Sequence, residues 1–551
     1  MKKFIGVTLA LCLAFSLSLA ACGSSDSGSD YSGTATAVTD TSITAEETTT
    51  DFSITTEDGT VTNSGSIYTI SSSGTYSVTG GLTGQILVNN TDSNDTDDII
   101  IELNGTTVKY SEDSPIKIVS KINDVEISAK KNTENVVKDL RSAKTVDNEN
   151  LGEGAISSKA DLKLKGTGTL VVTGNYNNGI HTTKDLKIQK LSLKVTAYNN
   201  AIKGKNSVTI SSGTIVAIST NGDGVKTEDT ETDKGNITVN GGSITVYAAG
   251  DGFQAARDFS METGTDDDGN TTSPTVTVYT GSYSGYTASG ATTTSYKGVK
   301  VQNELNISAG TITLKTYDDG LHADYGTSFT DGTSGKGTII ISGGTVNMNV
   351  YSPENKTSQG RQGPSGWGNQ QTVSGADGIH ADNTVNISGG EISIDSAYEG
   401  LEANHILISG GKTYVAGNDD GINASKKINQ TPTIVVSGGY LDVTVSPSGD
   451  TDGIDSNGTY TQTGGVVITR GPSSEMAAAI DADSSVTVSG GTLIVLGYGN
   501  VKTGGSSVKT YSLSLHSSGN HTVKIDGTSY TFNNAYSYGK TTVYSSVTVS
   551  A

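Results

Sequence analysis

The chain has 551 residues, of which 70 are glycine and only 33% are hydrophobic. This apolar fraction is too small for one large round core and favours an elongated fold whose core is thin. The formal net charge of −21 argues against a nucleic-acid partner, because phosphate binding depends on lysine and arginine.

Residues 1–21 are typical of a bacterial secretory signal, since a basic start precedes an apolar run over residues 4–19. The run ends in Leu-Ala-Ala-Cys at residues 19–22, which resembles the bacterial lipobox and implies a lipid on Cys22. An ordinary signal peptide with a chance cysteine is the alternative. Residues 22–51 are rich in Ser, Thr, Gly and Asp and are predicted to form a flexible tether. We therefore expect a lipid-anchored protein on the extracellular face of the bacterial cell membrane.

The folded body is predicted over residues 52–551. Residues 52–151 contain strands with Gly or Asn turns but lack the repeat described next, and we expect them to form the N-terminal cap and the first coils. Residues 152–497 hold the regular coils. Residues 498–551 keep a strand-like alternation and are expected to form the C-terminal cap.

A short phrase returns about every 22 residues in the regular region: an acidic residue or Asn, then Gly, then an aliphatic residue. It reads NNGIHTT at Ile180, DDGLHAD at Leu321 and ADGIHAD at Ile379. A fixed period of this length predicts a solenoid. Apolar residues two apart, such as Val385 and Ile387, predict short strands with one buried face, separated by Gly-rich bends.

Three strands and three bends per repeat, without a helical period, predict one coil of an all-β parallel β-helix. A leucine-rich repeat has a similar period, but its Leu-rich phrase and its helix are not evident here. Two intervals are longer than one period, and insertions at 256–296 and 352–376 account for them. The second insertion holds Trp367, and each is either part of a binding face or a surface loop.

Residues 154–188 and 199–218, together with the Asp-Gly-Ile coils, resemble a family of secreted clostridial carbohydrate-binding proteins. The resemblance covers about residues 60–540. It implies a right-handed, single-stranded parallel β-helix with a pectate-lyase-like architecture. It also implies binding of Ca²⁺ and of plant cell-wall polysaccharide, pectic or cellulosic.

The residue two positions before each aliphatic residue is expected to form a column of stacked side chains. Stacked carboxylates repel each other unless a proton or a cation relieves them, and Ca²⁺ takes six to eight oxygen ligands. Turn formation alone also explains Asp-Gly and Asn-Gly pairs, so both interpretations stand. The predicted Ca²⁺ ligands are Asp319, Asp377, Glu399 and Asp420, joined by Asp324 and Asp382 from a second column.

His181, His322 and His380 share one offset in the repeat, directly after the aliphatic residue. A zinc site needs three or four converging ligands, whereas the intervening repeats carry Lys, Gln and Glu at this offset. We therefore expect these histidines to face solvent.

Two functions from different classes remain open. The first is a monomeric binding module whose tyrosines stack on sugar rings and whose Ca²⁺ bridges uronate carboxylates to the acidic columns. The second is a Ca²⁺-dependent polysaccharide lyase, which needs a base beside the ion; the candidates are Lys297, then Lys300 and Lys226. A lysine base must be neutral, and nearby carboxylates oppose that. A paired-carboxylate hydrolase and a structural adhesin are further alternatives.

Overall fold

The computed structural model describes residues 40–265, 269–285, 295–351, 375–474 and 476–551. All of them belong to one compact unit, Thr36–Ala551. Within these ranges, no helix has the length and hydrophobicity that a membrane crossing requires. The signal segment, Cys22 and most of the predicted tether lie outside the described residues, as does nearly all of the predicted 352–376 insertion.

Alternating side chains build the strands. In Thr338–Ile341 and in Ser485–Val488, every second residue is fully or almost fully buried, and its neighbours are half-buried. Because successive side chains of a strand point to opposite faces, the apolar half of each strand lies in the core. The all-β prediction is confirmed: 45 strands join in one sheet, and most of its pairs are parallel.

The strands of this sheet fall into three stacks, because each strand pairs with its counterparts in the preceding and following repeats. The first stack comprises Ile67–Ile70, Gln85–Val88, Ile116–Ile118, Gly154–Ser158, Asn178–Thr182, Ile202–Gly204, Val225–Lys226, Phe253–Ala255, Val299–Val301, Leu321–Ala323, Ile379–Ile387, Leu401–Ile408, Ile422–Ala424 and Ile454–Ser456. The second comprises Gly74–Thr83, Ile99–Tyr110, Val125–Ala129, Leu162–Gly166, Asp185–Ile188, Ser207–Ile210, Asn236–Val239, Phe259–Met261, Glu304–Ile307, Thr338–Ile341, Thr433–Val436, Thr459–Gln462, Ser485–Val488 and Val501–Thr503. The third comprises Glu134–Asp139, Thr169–Gly174, Leu191–Ala197, Gly213–Ser219, Ser243–Ala248, Thr275–Thr280, Thr311–Thr316, Thr345–Val350, Glu391–Ala397, Lys412–Gly417, Tyr440–Thr444, Val466–Arg470 and Thr492–Leu496.

Four strands are long enough to serve two stacks. Gly74–Thr83 and Ile99–Tyr110 continue from the second stack into the third, and Ile379–Ile387 and Leu401–Ile408 continue from the first into the second. Two pairs of strands outside this sheet form short hairpins, Gly264–Thr265 with Thr271–Thr272 and Tyr325–Ser328 with Ser334–Lys336. A 3₁₀ helix spans Gly281–Ser284.

The register of the first stack aligns the repeated phrase. Leu321 pairs with Ile379, Ile379 with Leu401, and Leu401 with Ile422. The same alignment holds whether the backbone partners lie 22 residues apart or 58 residues apart. An insertion therefore leaves the sheet without shifting its register, which preserves the columns of side chains.

The Gly-Gly bends need their second glycine. Gly411 has a φ of +72°, and a Cβ there would lie 2.7 Å from the carbonyl oxygen of Gly389 in the preceding repeat. Left-handed backbone strains other residues, and this close approach excludes any side chain. The bend therefore stacks directly on the bend before it.

The N-terminal segment departs from the tether expectation for residues 40–51. Ile43 is 5% exposed and packs on Val216 and Ile218 of the third stack. The Thr48 amide donates to Thr107 Oγ1 at 2.9 Å. The physical reason is that Val216 and Ile218 form an apolar pair on the outer face of the sheet, on which Ile43 packs. The composition of the segment does not reveal this contact. Ser53–Thr56 and Val61–Ser64 follow as antiparallel strands.

The C-terminal region closes the third stack with antiparallel pairing. Thr541–Ser545 pairs with Thr492–Leu496, the last parallel strand of that stack, and with Lys509–Ser512. Gly519–Ile525 pairs with Thr528–Asn534 and Val549–Ser550 in a separate three-stranded sheet. A second apolar core lies between these two sheets, so the last strand of the third stack is not left as an open edge.

Candidate functional site

The acidic column lies immediately before the strands of the first stack. We define it as Asp319, Asp377, Glu399, Asp420 and Asp452. The Asp377 amide donates to Asp319 Oδ1 at 2.8 Å, Glu399 to Asp377 Oδ1 at 3.2 Å, and Asp452 to Asp420 Oδ1 at 2.7 Å. One oxygen of each accepting carboxylate thus bonds the backbone of the following repeat, whereas the turn interpretation expects a bond to the residue's own turn. The other oxygen is left for a second partner.

A lysine neutralises Asp319, the first carboxylate of the column, and the adjacent Asp318. Lys297 Nζ lies 2.8 Å from Asp318 Oδ2 and 2.9 Å from Asp319 Oδ2. Burial opposes the charge of Lys297, but Asp319 and Asp318 outweigh it and raise the lysine pKa. Burial likewise opposes the charge of Asp319, and Lys297 and His322 hold the pKa of this carboxyl well below its ordinary value.

The two histidines beside the column are covered, in contrast to the expectation that they face solvent. The side chains of His322 and His380 are only 11% and 13% exposed. Their rings stack with centroids 4.8 Å apart. The reason is that carboxylates of the same repeat flank each ring, and Glu402 of the next repeat adds to the cover of His380. His181, in an earlier repeat, is also buried.

Each histidine lies between carboxylates. His322 Nδ1 is 2.7 Å from Asp319 Oδ2, and Nε2 is 2.8 Å from Asp324 Oδ1. His380 Nδ1 is 2.9 Å from Asp377 Oδ2, and Nε2 is 3.5 Å from Asp382 Oδ1. Asp324 and Asp382, two of the predicted Ca²⁺ ligands, therefore contact imidazoles in this structure.

The carboxylates set the charge of these histidines. Burial lowers the pKa of His380, but Asp377, Asp382 and Glu402 overcome this effect and raise it to about 12. The pKa of His322 is also raised, against burial, by Asp319 and Asp324. The surrounding carboxylates therefore favour the charged form of both imidazoles in the metal-free protein.

The carboxylates of Glu399 and Asp420, in the middle of the column, differ from Asp319, because no lysine or histidine side chain among the described residues pairs with them. Glu399 is 8% exposed, and its Oε1 accepts from Asn423 Nδ2 at 3.1 Å. Its Oε2 is buried and has no hydrogen-bond partner among the described residues. Ligand oxygens of Glu399, Asp419 and Asp420 lie within 4.8 Å of one another. In the described ranges, none of these three residues forms a salt bridge.

This crowding raises the pKa of the carboxyls. For Glu399, burial acts first and the charges of Asp377, Glu402 and Asp420 add to it, so that its pKa lies well above the ordinary value. Burial also raises the pKa of Asp420, with Asp419 and Asp452 contributing. A divalent cation would relieve both the repulsion and the unpartnered Oε2.

The three lysine candidates for a lyase base are held by carboxylates. Lys297 is paired as described, and Lys226 Nζ lies 2.9 Å from Asp223 Oδ2. Burial opposes the charge of Lys226, yet Asp223 raises its pKa. Lys300 Nζ is 3.8 Å from Asp324 Oδ2. A base must release its proton before it acts, and the surroundings of Lys297 and Lys226 favour the protonated form.

Several tyrosines stack on each other along the third stack of strands. The Tyr247 and Tyr279 rings are 5.0 Å apart and nearly parallel, and the Tyr317 and Tyr351 rings are 4.6 Å apart. In each pair one face of each ring is covered by its partner, which reduces the area available for a sugar. Tyr198 and Tyr325 are more open, at 38% and 50% exposure.

Sequence reasoning missed Glu402 and Asp419. Glu402 is the register partner of His380, and His380 is the register partner of His322. The residues directly after the aliphatic residue form a column of their own, and following this column from repeat to repeat identifies His322, His380 and Glu402. Asp419 precedes Asp420 in the chain, and its signal was the doubled acidic residue, which also occurs at Asp318 and Asp319. The acidic run of Asp266, Asp267 and Asp268 could bind a metal but is more typical of a solvated charge run, and it lies outside the described residues.

Comparison with known proteins agrees with the resemblance in the sequence. A protein of Acetivibrio thermocellus described as carbohydrate-binding domain-containing is 34% identical over 115 residues, which are 21% of this chain and 39% of that protein. The chain thus matches well under half of that relative's length. A solved structure is described as the polysaccharide lyase-like protein from C. thermocellum, gadolinium derivative, and its sequence is 32% identical. The match covers 41% of this chain and 86% of the chain in that structure, with a TM-score of 0.35.

The family model for carbohydrate-binding domain-containing proteins matches residues 64–338 and 327–421. These two matches together extend over more than half of the chain. The chain therefore belongs to the family of carbohydrate-binding domain-containing proteins.

Proposed function

We propose that this protein binds acidic plant cell-wall polysaccharide through Ca²⁺ held at the middle of the acidic column. The observation that carries the proposal is the buried, unpartnered Oε2 of Glu399 beside Asp419 and Asp420. Membership of the carbohydrate-binding family supports a sugar ligand. Calcium is the expected ion because every donor in this group is a carboxylate oxygen, the ligand type that Ca²⁺ prefers.

The net charge explains why a cation is needed. A chain with a formal charge of −21 repels a polyuronate, whose sugars are also anionic. Ca²⁺ uses six to eight ligands, so three protein carboxylates leave coordination positions for oxygens of the polymer. The ion would therefore hold the protein carboxylates together and bridge them to a uronate.

The architecture proposed for this function is a right-handed, single-stranded parallel β-helix with about 22 residues per coil. The alignment of Leu321, Ile379, Leu401 and Ile422 in the first stack supports it. Such a fold presents side chains at regular intervals along a rigid surface, which suits an extended polymer.

The proposed location is the outer face of the bacterial cell membrane. Residues 1–21 would be removed, Cys22 would carry the lipid, and the following residues would connect the anchor to the folded body. The sequence at residues 19–22 supports this arrangement.

Retention on a polymer tests the proposal. The purified protein is passed over immobilised polygalacturonate and over cellulose, with Ca²⁺ or with a chelator. We expect retention on polygalacturonate with Ca²⁺ and its loss with chelator. Glu399→Gln should weaken retention at least tenfold, whereas Asp395→Asn, which removes an exposed carboxylate from the neighbouring strand Glu391–Ala397, should not.

Three results would contradict the proposal. Chelator-resistant retention, or no retention on either polymer, would remove the role of the Glu399 group. Release of unsaturated product, followed by ultraviolet absorbance, would replace binding with the lyase alternative.

A further inference from the structure

Two buried carboxylates converge on one imidazole nitrogen. Asp377 Oδ2 lies 2.9 Å and Glu402 Oε2 lies 3.0 Å from His380 Nδ1. A ring nitrogen carries one proton, so it can satisfy only one of these oxygens with a well-directed hydrogen bond. A metal ion at this point would serve all three atoms at once.

The other oxygen of each carboxylate already has a partner, which leaves Asp377 Oδ2 and Glu402 Oε2 directed at the imidazole. Asp377 Oδ1 accepts the Glu399 amide at 3.2 Å. Glu402 Oε1 lies 2.6 Å from Lys427 Nζ and accepts from Ser425 Oγ at 2.7 Å. Only Oδ2 of Asp377 and Oε2 of Glu402 remain for a further ligand.

The second histidine supplies another donor. Donor atoms of Asp319, His322 and His380 lie within 4.8 Å of one another, as do those of Asp377, His380 and Glu402. His380 belongs to both groups. Donors of a tetrahedral zinc shell are about 3.3 Å apart, given bonds of about 2.0–2.1 Å, so the donors of Asp377, His380 and Glu402 are near the required spacing. His322 would join them by turning out of its stack on His380.

Carboxylates also back the far side of each ring. Asp324 faces Nε2 of His322, and Asp382 faces Nε2 of His380, while Nδ1 of each ring faces the buried column. A carboxylate behind an imidazole is the usual support of a metal-bound histidine, because it fixes the ring and the tautomer. The same arrangement occurs in two successive repeats.

We propose that His380, Asp377 and Glu402, with His322 as fourth ligand, form a site for a divalent transition metal of the zinc class, separate from the Ca²⁺ group at Glu399. Imidazole selects Zn²⁺, Ni²⁺ or Cu²⁺ over Ca²⁺, whose ligands are oxygens. Asp324 and Asp382 are positioning residues that hold the two rings. The proposal does not depend on polysaccharide binding.

Zn²⁺ titration in excess Ca²⁺ tests the site. Calorimetry on the purified protein should show one Zn²⁺ bound, and Co²⁺ should give visible absorption of a site with nitrogen and oxygen ligands. His380→Gln should lower Zn²⁺ affinity at least 100-fold. Asp382→Asn should lower it by about 10–100-fold, the usual effect of removing such a support.

His181→Gln is the matched control, because His181 occupies the same offset in an earlier repeat, where neither metal group includes it. It should bind Zn²⁺ like the unaltered protein. Absence of Zn²⁺ binding by the unaltered protein in excess Ca²⁺ would overturn the proposal, whether or not the variants fold. Unchanged affinity in His380→Gln, or equal loss in His181→Gln, would also overturn it.

Discussion

At the scale of single residues, the acidic column combines two kinds of carboxylate. Asp319 is compensated by Lys297 and His322, and its pKa is lowered against burial. Glu399 and Asp420 lack such partners, and burial followed by mutual repulsion raises their pKa. The compensated carboxylates are already paired in the metal-free protein, and the uncompensated ones are the carboxylates that gain most from a cation.

The pH dependence of stability follows from this difference. Burial, with Asp455 and Asp481 nearby, raises the pKa of Asp452 from 3.8 to about 7. The folded state then holds a proton that the unfolded state has released, so this residue makes the free energy of unfolding fall as pH rises from about 4 to about 7. Asp452→Asn should therefore be more stable than the unaltered protein at pH 8 in chelator, and should show no such advantage at pH 4.

Urea denaturation at the two pH values measures this effect. Asp395→Asn, at an exposed carboxylate, is the control and should show no comparable pH-dependent gain. Equal stability of Asp452→Asn and the unaltered protein at both pH values would contradict the prediction.

The covered histidines mark a limit of sequence reasoning at this scale. His322 and His380 occupy outward offsets of a strand, from which exposure is expected. Part of their cover is local, because Asp319 lies three residues before His322 and Asp324 two residues after it in the same phrase. The contact of His380 with Glu402 is not local, since Glu402 belongs to the next repeat and is found only once the register is known.

At the scale of elements, the bend glycines decide how closely the repeats stack. Gly411→Ala should destabilise the protein for two reasons. Left-handed backbone costs a non-glycine residue about 1–2 kcal/mol. The new methyl group would also meet Gly389 O at 2.7 Å, and overpacking adds typically about 1–3 kcal/mol.

Gly105→Ala separates these two effects. Gly105 has nearly the same φ, +71°, but nothing lies within 4 Å of its added Cβ. The variant should lose only the backbone contribution, as measured by the free energy of unfolding. An equal loss of unfolding free energy in the two variants would show that the contact with Gly389 adds nothing to the cost of a side chain at position 411.

The strands themselves were predictable. Alternating apolar residues such as Val385 and Ile387 identify a buried strand face, and the aliphatic residue of each phrase identifies its register partner. The contact of Ile43 with Val216 and Ile218 was not predictable, because one isoleucine in a polar segment carries no period. Its partners lie on an outer face that the alternation assigns to solvent.

At the scale of the whole molecule, a chain of low hydrophobicity builds one continuous sheet by repetition. Insertions such as the one between Leu321 and Ile379 leave the register unchanged, so the acidic column continues across them. The family match ends at residue 421, and the strands of the first stack continue to Ile454–Ser456. The proposed Ca²⁺ group therefore lies at the far end of the matched region.

One measurement tests the alignment of the repeats together with the Ca²⁺ proposal. A crystal structure of the protein grown with Ca²⁺ should show an ion about 2.3–2.6 Å from oxygens of Glu399, Asp419 and Asp420, with Asp377 and Asp452 in the neighbouring repeats of the same column. The account would be contradicted if the carboxylates of Glu399, Asp419 and Asp420 lay far apart. It would also be contradicted if they lay together but Ca²⁺ bound at another place.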